Sequence, residues 1–196
     1  MNEFGLWFST GVEHIADLSA YDHILFVTLL VMAYPLNAWR SLILLVTAFT
    51  VGHSLSLAIS ILNDMTLSTP LIELCIALSI LFTALFQLLN FSGKTQFGLK
   101  SWYTLVLVFG LIHGLGFSFL LKAMLGKEQS VFLPLMYFNV GLELGQLLIV
   151  AIVLVFSLFI TKIIKWPYTY YKLSLLCAIS LIALKLSAER LFLFFS

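Results

Sequence analysis

"YDHILFVTLLV", residues 21–31, sets an acid and a histidine directly against an unbroken apolar run. The run is one of several. The chain has 196 residues, 62% of them hydrophobic and only 10% charged, and its mean hydropathy is +1.11. A soluble domain of this length carries far more surface charge. Several runs reach the ~20 residues that cross a bilayer as helix. In hydrocarbon the backbone must satisfy its own hydrogen bonds, so only helices or closed barrels cross. These runs are long and continuous rather than ten-residue alternating strands, which selects helices. The expected fold is all-α: one integral membrane domain over 1–196, a polytopic bundle of six transmembrane helices near 22–36, 41–62, 70–91, 101–124, 131–161 and 173–194.

Local punctuation supports these bounds. Pro35 in "YPLN" blocks continuation of the first span, and Thr69-Pro70 reads as N-cap and first helical residue of the third. "NFSGKTQFG" (90–98) and "LGKEQS" (125–130) read as turn-like linkers. Residues 3–18 differ from the spans. Phe4, Trp7, Phe8, Val12 and Ile15 recur at helical spacing opposite Glu3, Ser9, Glu13 and Asp17, which predicts a short amphipathic helix lying in the interface. No Lys or Arg precedes Arg40, so the basic region of a secretory signal is missing and the N-terminus is expected to belong to the mature chain. With the N-terminus outside, six basic residues (Arg40, Lys94, Lys100, Lys162, Lys165, Lys172) face inward against four outside (Lys122, Lys127, Lys185, Arg190), the sense the positive-inside rule favours. Cys75 and Cys177 both lie in apolar segments and say little about redox compartment. A net charge of +1 gives no basic patch for nucleic acid. "FTVGHSLS" (49–56) and "FGLIHGLG" (109–116) resemble each other, with "LIEL" (71–74) and "GLEL" (141–144) after them. They fit two copies of a helical hairpin, each with one His and one Glu, or chance likeness among Leu- and Gly-rich helices.

Ionisable groups in a bilayer are costly, of order 2.5–3.5 kcal/mol for an acid at the helix centre, so each needs a partner. His53 falls ~18 Å and His113 ~16 Å along their spans at helical rise. Asp22, His23 and Glu73 open spans from the outer face, and Glu143 lies well past the first turn of the fifth. All of them can meet in the outer half of one bundle. Imidazole with carboxylate is a ligand set for nickel, zinc or cobalt, so Asp22, His23, His53, His113 and Glu143 are the expected metal ligands. His14, Ser54, Glu73, Asn139 and Gln146 are further candidates. Asn139, Glu143 and Gln146 follow at i, i+4, i+7 on one helix face, and Gly110, Gly114 and Gly116 flank His113 with room for close approach. Most of these residues also have a plain structural reading, but Glu143, well past the first turn, does not. A buried His can bond across to another helix. Glu73 and Asp22 suit a first helical turn.

"EHIADLSAYDHILFVTLL" (13–30), "FTVGHSLSLA" (49–58), "FGLIHGLGFS" (109–118) and "FNVGLELGQ" (138–146) together resemble the HupE/UreJ family of hydrogenase and urease accessory membrane proteins, in its second HupE/UreJ type. The resemblance runs through most of the chain. It implies a six-span protein of the bacterial inner membrane that moves nickel or a related divalent ion, and it places the family's first-span His and Asp-His motif on His14, Asp22 and His23. Seven residues separate His14 from Asp22 here, where the family has five. The expectation is a permease whose partners are the lipid bilayer and the metal ion. Two alternatives stand beside it: an intramembrane metal-dependent hydrolase with Glu143 as general base, although no H-E-x-x-H occurs, and a non-catalytic membrane assembly factor.

Overall fold

The structure is a computed structural model and describes residues 2–63, 65, 68–91, 98–126 and 130–195. Among these residues the chain is all-α, without strands. Its helices are α1 (Glu3–Ala16), α2 (Asp22–Ala33), α3 (Trp39–Leu62), α4 (Thr69–Leu89), α5 (Leu99–Leu125), α6 (Phe132–Leu158) and α7 (Tyr168–Phe195), and a π-helical turn over Phe159–Ile163 ends α6. The linkers expected over 90–98 and 125–130 fall largely outside the described residues, as do Lys94 and Lys127.

The helix ends follow from local chemistry. Asn2 caps α1 by accepting the Gly5 N–H at 2.8 Å. Tyr34 turns extended (φ −122°, ψ 158°), as a residue before proline must, and stops α2. Gly126 takes φ +59° and returns its N–H to the Lys122 carbonyl at the end of α5, a conformation that suits glycine. The Thr69-Pro70 start is displaced by one residue: Ser68 is the cap, without a side-chain bond, and Pro70 sits in the first turn.

Among the described residues, four helices are long and apolar enough to cross a membrane: α3, α4, α5 and the stretch Phe132–Ile163. The outward face of α6 carries exposed Leu144, Leu148, Ile152 and Val155, an apolar surface suited to lipid rather than water. The six spans expected are therefore four by length and composition. With 12 residues, α2 reaches only ~18 Å against a hydrocarbon core of ~30 Å. The 28 residues of α7 include Lys172, Lys185, Glu189 and Arg190.

Three helix pairs build the bundle. In the first, α3 and α5 run parallel with their backbones in contact. A Cβ on Gly110 would strike the Phe49 carbonyl, one on Gly114 the His53 carbonyl, and one on Gly52 the Leu107 carbonyl. The second pair, α1 and α6, repeats that contact. A Cβ on Gly11 would strike the Phe138 carbonyl and one on Gly141 the Phe8 carbonyl, while Val12 and Ile15 lie against Gly145 and Phe4 against Tyr137. Residue numbers rise together along this pair too, so α1 and α6 are parallel. This corrects the expectation of a helix lying in the interface: Gly11, Gly141 and Gly145 remove the side chains that would hold α1 off, and Trp7, Gly11 and Ile15 are buried along α6. In the third pair α4 and α7 are antiparallel. Glu73 meets Arg190 at 2.8 Å near one end, and Lys172 lies over the Phe91 ring, 5.9 Å from its centroid, at the other.

The pairs reveal an internal relation other than the hairpin repeat expected. "FTVG" (49–52) of α3 matches "FNVG" (138–141) of α6, and "GVEH" (11–14) of α1 matches "GLIH" (110–113) of α5. The same offset that carries Gly11 to Gly110 carries Glu73 to Lys172 and Phe91 to Arg190, so it exchanges the two end contacts of α4 and α7. Buried positions follow it as well: Ile72, Ala77, Ile80 and Ala84 correspond to Tyr171, Leu176, Ile179 and Ala183, all buried. Half one is α1, α3 and α4, with α2 inserted; half two is α5, α6 and α7. Corresponding helices run in opposite directions. The two helices that share the expected echo, α3 and α5, belong to different halves and pack on each other.

Gly141→Ala forces its Cβ onto the Phe8 backbone, which cannot move aside as a side-chain tip would. It is expected to cost about 1–3 kcal/mol, the range for overpacking, and a thermal unfolding curve in detergent will read it as a lower midpoint. An unchanged midpoint would contradict the docking of α1 on α6.

Candidate metal centre

Three of the four imidazoles, those of His14, His53 and His113, are placed by these contacts. His14 follows Gly11 by one turn on α1, and His113 follows Gly110 by one turn on α5. His53 is next to Gly52 in α3, and His23 is the second residue of α2. Ring centroids are 4.8 Å apart for His14–His23, 5.6 Å for His14–His53, 6.3 Å for His23–His53 and 5.1 Å for His23–His113. His14, His23 and His53 can each offer a nitrogen within 4.8 Å of the other two. Three such atoms lie no more than about 2.8 Å from a common centre, against 2.0–2.1 Å for a zinc–imidazole bond. A shift of under about 1 Å per ring, within rotamer adjustment, closes the site on an ion.

The nitrogens are buried and unused. His23 is 4% exposed and His53 fully buried. Both nitrogens of each, with His14 Nε2 and His113 Nε2, lack any hydrogen-bond partner. A buried polar atom without a partner carries its full desolvation penalty, about 1–3 kcal/mol, and four imidazoles together cannot be dismissed as packing. His113 shows the matching tautomer logic. Its Nδ1 lies 2.8 Å from the Phe109 carbonyl; a carbonyl only accepts, so Nδ1 carries the proton and the Nε2 lone pair faces the group. Phenylalanines hold the rings. Phe117 is 3.9 Å from His14, Phe49 and Phe138 stack on opposite sides of His53, and Phe117 stacks on Phe138 at 5.1 Å. Aromatic walls fix the imidazole rotamers and keep a low dielectric around the nitrogens.

A cavity of ≈ 210 Å³ adjoins the group. His14, His23 and His113 form its floor, Asp22 and Glu73 contribute carboxylates, and Arg190 stands at its rim with Glu73. Asp22 accepts the His23 backbone N–H at 3.0 Å and lies 3.3 Å from His23 Nδ1, close enough for ion-pair attraction but without hydrogen-bond geometry.

The structure thus brings His14, His23 and His53 into one group, with His113 and Asp22 beside it. Glu143 is not in that group, contrary to expectation. Its carboxylate accepts the Thr47 hydroxyl at 2.7 Å, so its turn of α6 faces the first half of α3 rather than the imidazoles. Gln146 is fully buried and accepts from Thr50 at 2.9 Å. Asn139 has a buried amide oxygen without a partner. The Ser54 hydroxyl is spent on the Thr50 carbonyl. Glu73 is held by Arg190 at the cavity. His14, a lesser candidate in the sequence, is a full member of the histidine group. The signal for it was present in the shared G-x-x-H of residues 11–14 and 110–113, which becomes informative once α1 is known to enter the bundle.

Cobalt(II) titration of the detergent-solubilised protein, followed by the d–d absorption band, tests the assignment. His23→Ala and His53→Ala are each expected to weaken binding by more than the roughly 10–100-fold that loss of an outer hydrogen-bond partner costs. Glu143→Gln is expected to leave the titration unchanged. Equal loss in all three variants would reject this grouping.

No curated protein and no solved structure matches the chain. A family model described as HupE / UreJ protein matches residues 1–190. A match over nearly the whole length, including all four stretches that build the histidine group, establishes that the chain belongs to the HupE/UreJ family.

Proposed function

We propose that this protein is a permease for a divalent transition-metal ion, nickel or a close relative, in the bacterial inner membrane. One observation carries the reading: unpartnered imidazole nitrogens from three separate helices converge beside a cavity that presents two carboxylates. Neutral imidazole suits nickel, cobalt and zinc alike, and the family's accessory role in nickel enzymes favours nickel. Asp22 and Glu73 draw the cation into the cavity. His14, His23 and His53, with His113 adjacent, replace part of its water shell.

The architecture agrees with transport. Two halves of opposite direction, with the site where they meet and a discontinuous helix beside it, are recurrent features of secondary transporters. In this reading α1 and α2 form one broken crossing and α7 is the sixth, with Lys185, Glu189 and Arg190 toward the cavity end and Lys172 at the other. Orientation follows from charge. Among the described residues, the end of the bundle away from the cavity carries Arg40, Lys100, Lys162, Lys165 and Lys172 and no acid, which supports a cytoplasmic side there. The hydrolase alternative depended on Glu143 as a general base. That carboxylate accepts the Thr47 hydroxyl and is not one of the residues that line the cavity beside the histidines, which favours the permease over the hydrolase.

Uptake of radioactive nickel or cobalt into proteoliposomes containing this protein alone is the direct test. The wild-type chain is expected to accumulate metal, and His23→Ala and Asp22→Asn to reduce the initial rate at least tenfold. A wild-type rate no higher than that of protein-free vesicles would reject the permease reading.

A further inference from the structure

The cavity beside the histidines lies toward one end of the bundle, and a permease needs a way out at the other. The relation between the halves says where to look. Two of the residues that line the cavity on α7, Leu186 and Arg190, correspond to Gln87 and Phe91 of α4. Glu73, which pairs with Arg190, corresponds to Lys172, which lies over Phe91. The counterpart of the open cavity therefore runs along the second half of α4, and the counterpart of its rim is the Lys172–Phe91 contact.

The chemistry of α4 on that course is specific. Ser79, Thr83 and Gln87 recur at i, i+4, i+8 and are all at least nine-tenths buried. Both hydroxyl hydrogens and one amide hydrogen of Gln87 are committed. The Ser79 hydroxyl donates to the Ile76 carbonyl at 2.7 Å, Thr83 to the Ser79 carbonyl at 2.8 Å, and Gln87 Nε2 to the Leu29 carbonyl of α2 at 2.9 Å. Because Leu29 offers only an acceptor, the amide orientation of Gln87 is fixed, and its Oε1 is left buried without a partner. What the stripe presents is oxygen lone pairs, spread over about 12 Å at helical rise. Oxygens with their protons turned away suit a hydrated cation, and weak neutral ligands let it leave. The stripe starts one turn beyond Ile76, a lining residue of the cavity. Beyond Leu29, at the end of α2, the Tyr34 hydroxyl is another buried atom without a partner.

We propose that Ser79, Thr83 and Gln87 line the inward leg of the cation path, and that the Lys172–Phe91 contact closes it in the conformation seen here. This rests on the permease reading and adds its second half. In the present structure the cavity lies on the Glu73–Arg190 side, and Lys172 lies over the Phe91 ring on the other. Exchange of the two arrangements between the halves gives the inward-open state.

Two measurements test the proposal. In the first, Gln87→Leu is expected to lower nickel uptake into proteoliposomes at least tenfold while the cobalt titration stays within twofold of wild type. Uptake within twofold of wild type would overturn the proposal. The second uses Thr83→Cys and Leu186→Cys in a Cys75→Ser, Cys177→Ser background, with membrane-impermeant methanethiosulfonate reagents added to one side of the vesicles. Leu186→Cys is expected to label from the cavity side and Thr83→Cys from the opposite side. Adding Phe91→Ala is expected to speed labelling of the Thr83→Cys protein at least threefold. No labelling of Thr83→Cys from that side, with or without Phe91→Ala, would overturn the proposal. If wild type takes up no metal the permease reading falls, and the water-accessible leg is then decided by labelling alone.

Discussion

Backbone contact between helices is the constraint on which the rest of the structure depends. Where Gly110 and Gly114 meet α3, and Gly11 meets α6, no side chain separates the two backbones. In lipid no hydrophobic force drives helices together, so small residues and van der Waals contact must do it. His14, His53 and His113 stand one turn after or next to glycines at these contacts. Close approach is thus what carries imidazoles on α1, α3 and α5 within reach of one another. A side chain at any of these points would spread the helices and leave each imidazole to find a different partner. The cost of several buried, unpartnered nitrogens is tolerable only because the same contacts hold the surrounding phenylalanines in place.

The correspondence between the halves explains which parts of the centre are repeated and which are not. His14 and His113 are equivalent, each one turn after an equivalent glycine. His53 corresponds to Leu142, so α6 supplies no imidazole of its own. In place of a fourth symmetric ligand, the chain inserts α2 after α1, and that insertion brings Asp22 and His23. The centre is therefore a symmetric pair of histidines made asymmetric by one inserted half-helix. That asymmetry also sets the direction of the cavity, since residues 19–23 line it and have no counterpart in the second half.

Much of this was legible in the sequence, and the failures have identifiable causes. The long apolar helices followed from hydropathy. Asp22, His23, His53 and His113 stood out because charge and imidazole are conspicuous against hydrocarbon. Glu143 was misplaced for the same reason: spacing along a helix gives depth but not which neighbour a face meets, and the partner Thr47 draws no notice in an apolar run. The amphipathic pattern of residues 3–18 reads as interfacial. Of the three glycines that dock α1 on α6, Gly11 lies far in sequence from Gly141 and Gly145, and their meaning needs both helices. The α4 stripe was passed over because Ser and Thr are common in membrane helices, where they bond to their own backbone; only the unpartnered oxygen of Gln87 distinguishes it.

The placement of acids relative to imidazoles bears on how a site that binds can also release. A carboxylate in direct contact with a divalent ion inside a low-dielectric bundle would hold it with an energy that no modest movement could overcome. Here Asp22 leans on His23 and Glu73 pairs with Arg190, so under the proposed permease reading both would act on a cation in the cavity at a distance rather than as ligands in the histidine group. Attraction would thereby be separated from coordination. The acids would raise the local concentration of cations where water is present, and neutral nitrogens, which are easier to part from, would make the contacts further in. Beyond them the oxygens of Ser79, Thr83 and Gln87 are neutral and singly placed along the helix, weaker again as ligands than imidazole for these metals. From cavity to far end, charge gives way to nitrogen and nitrogen to isolated oxygen, so along the proposed path the grip on an ion would fall while the wall stayed polar enough to replace water.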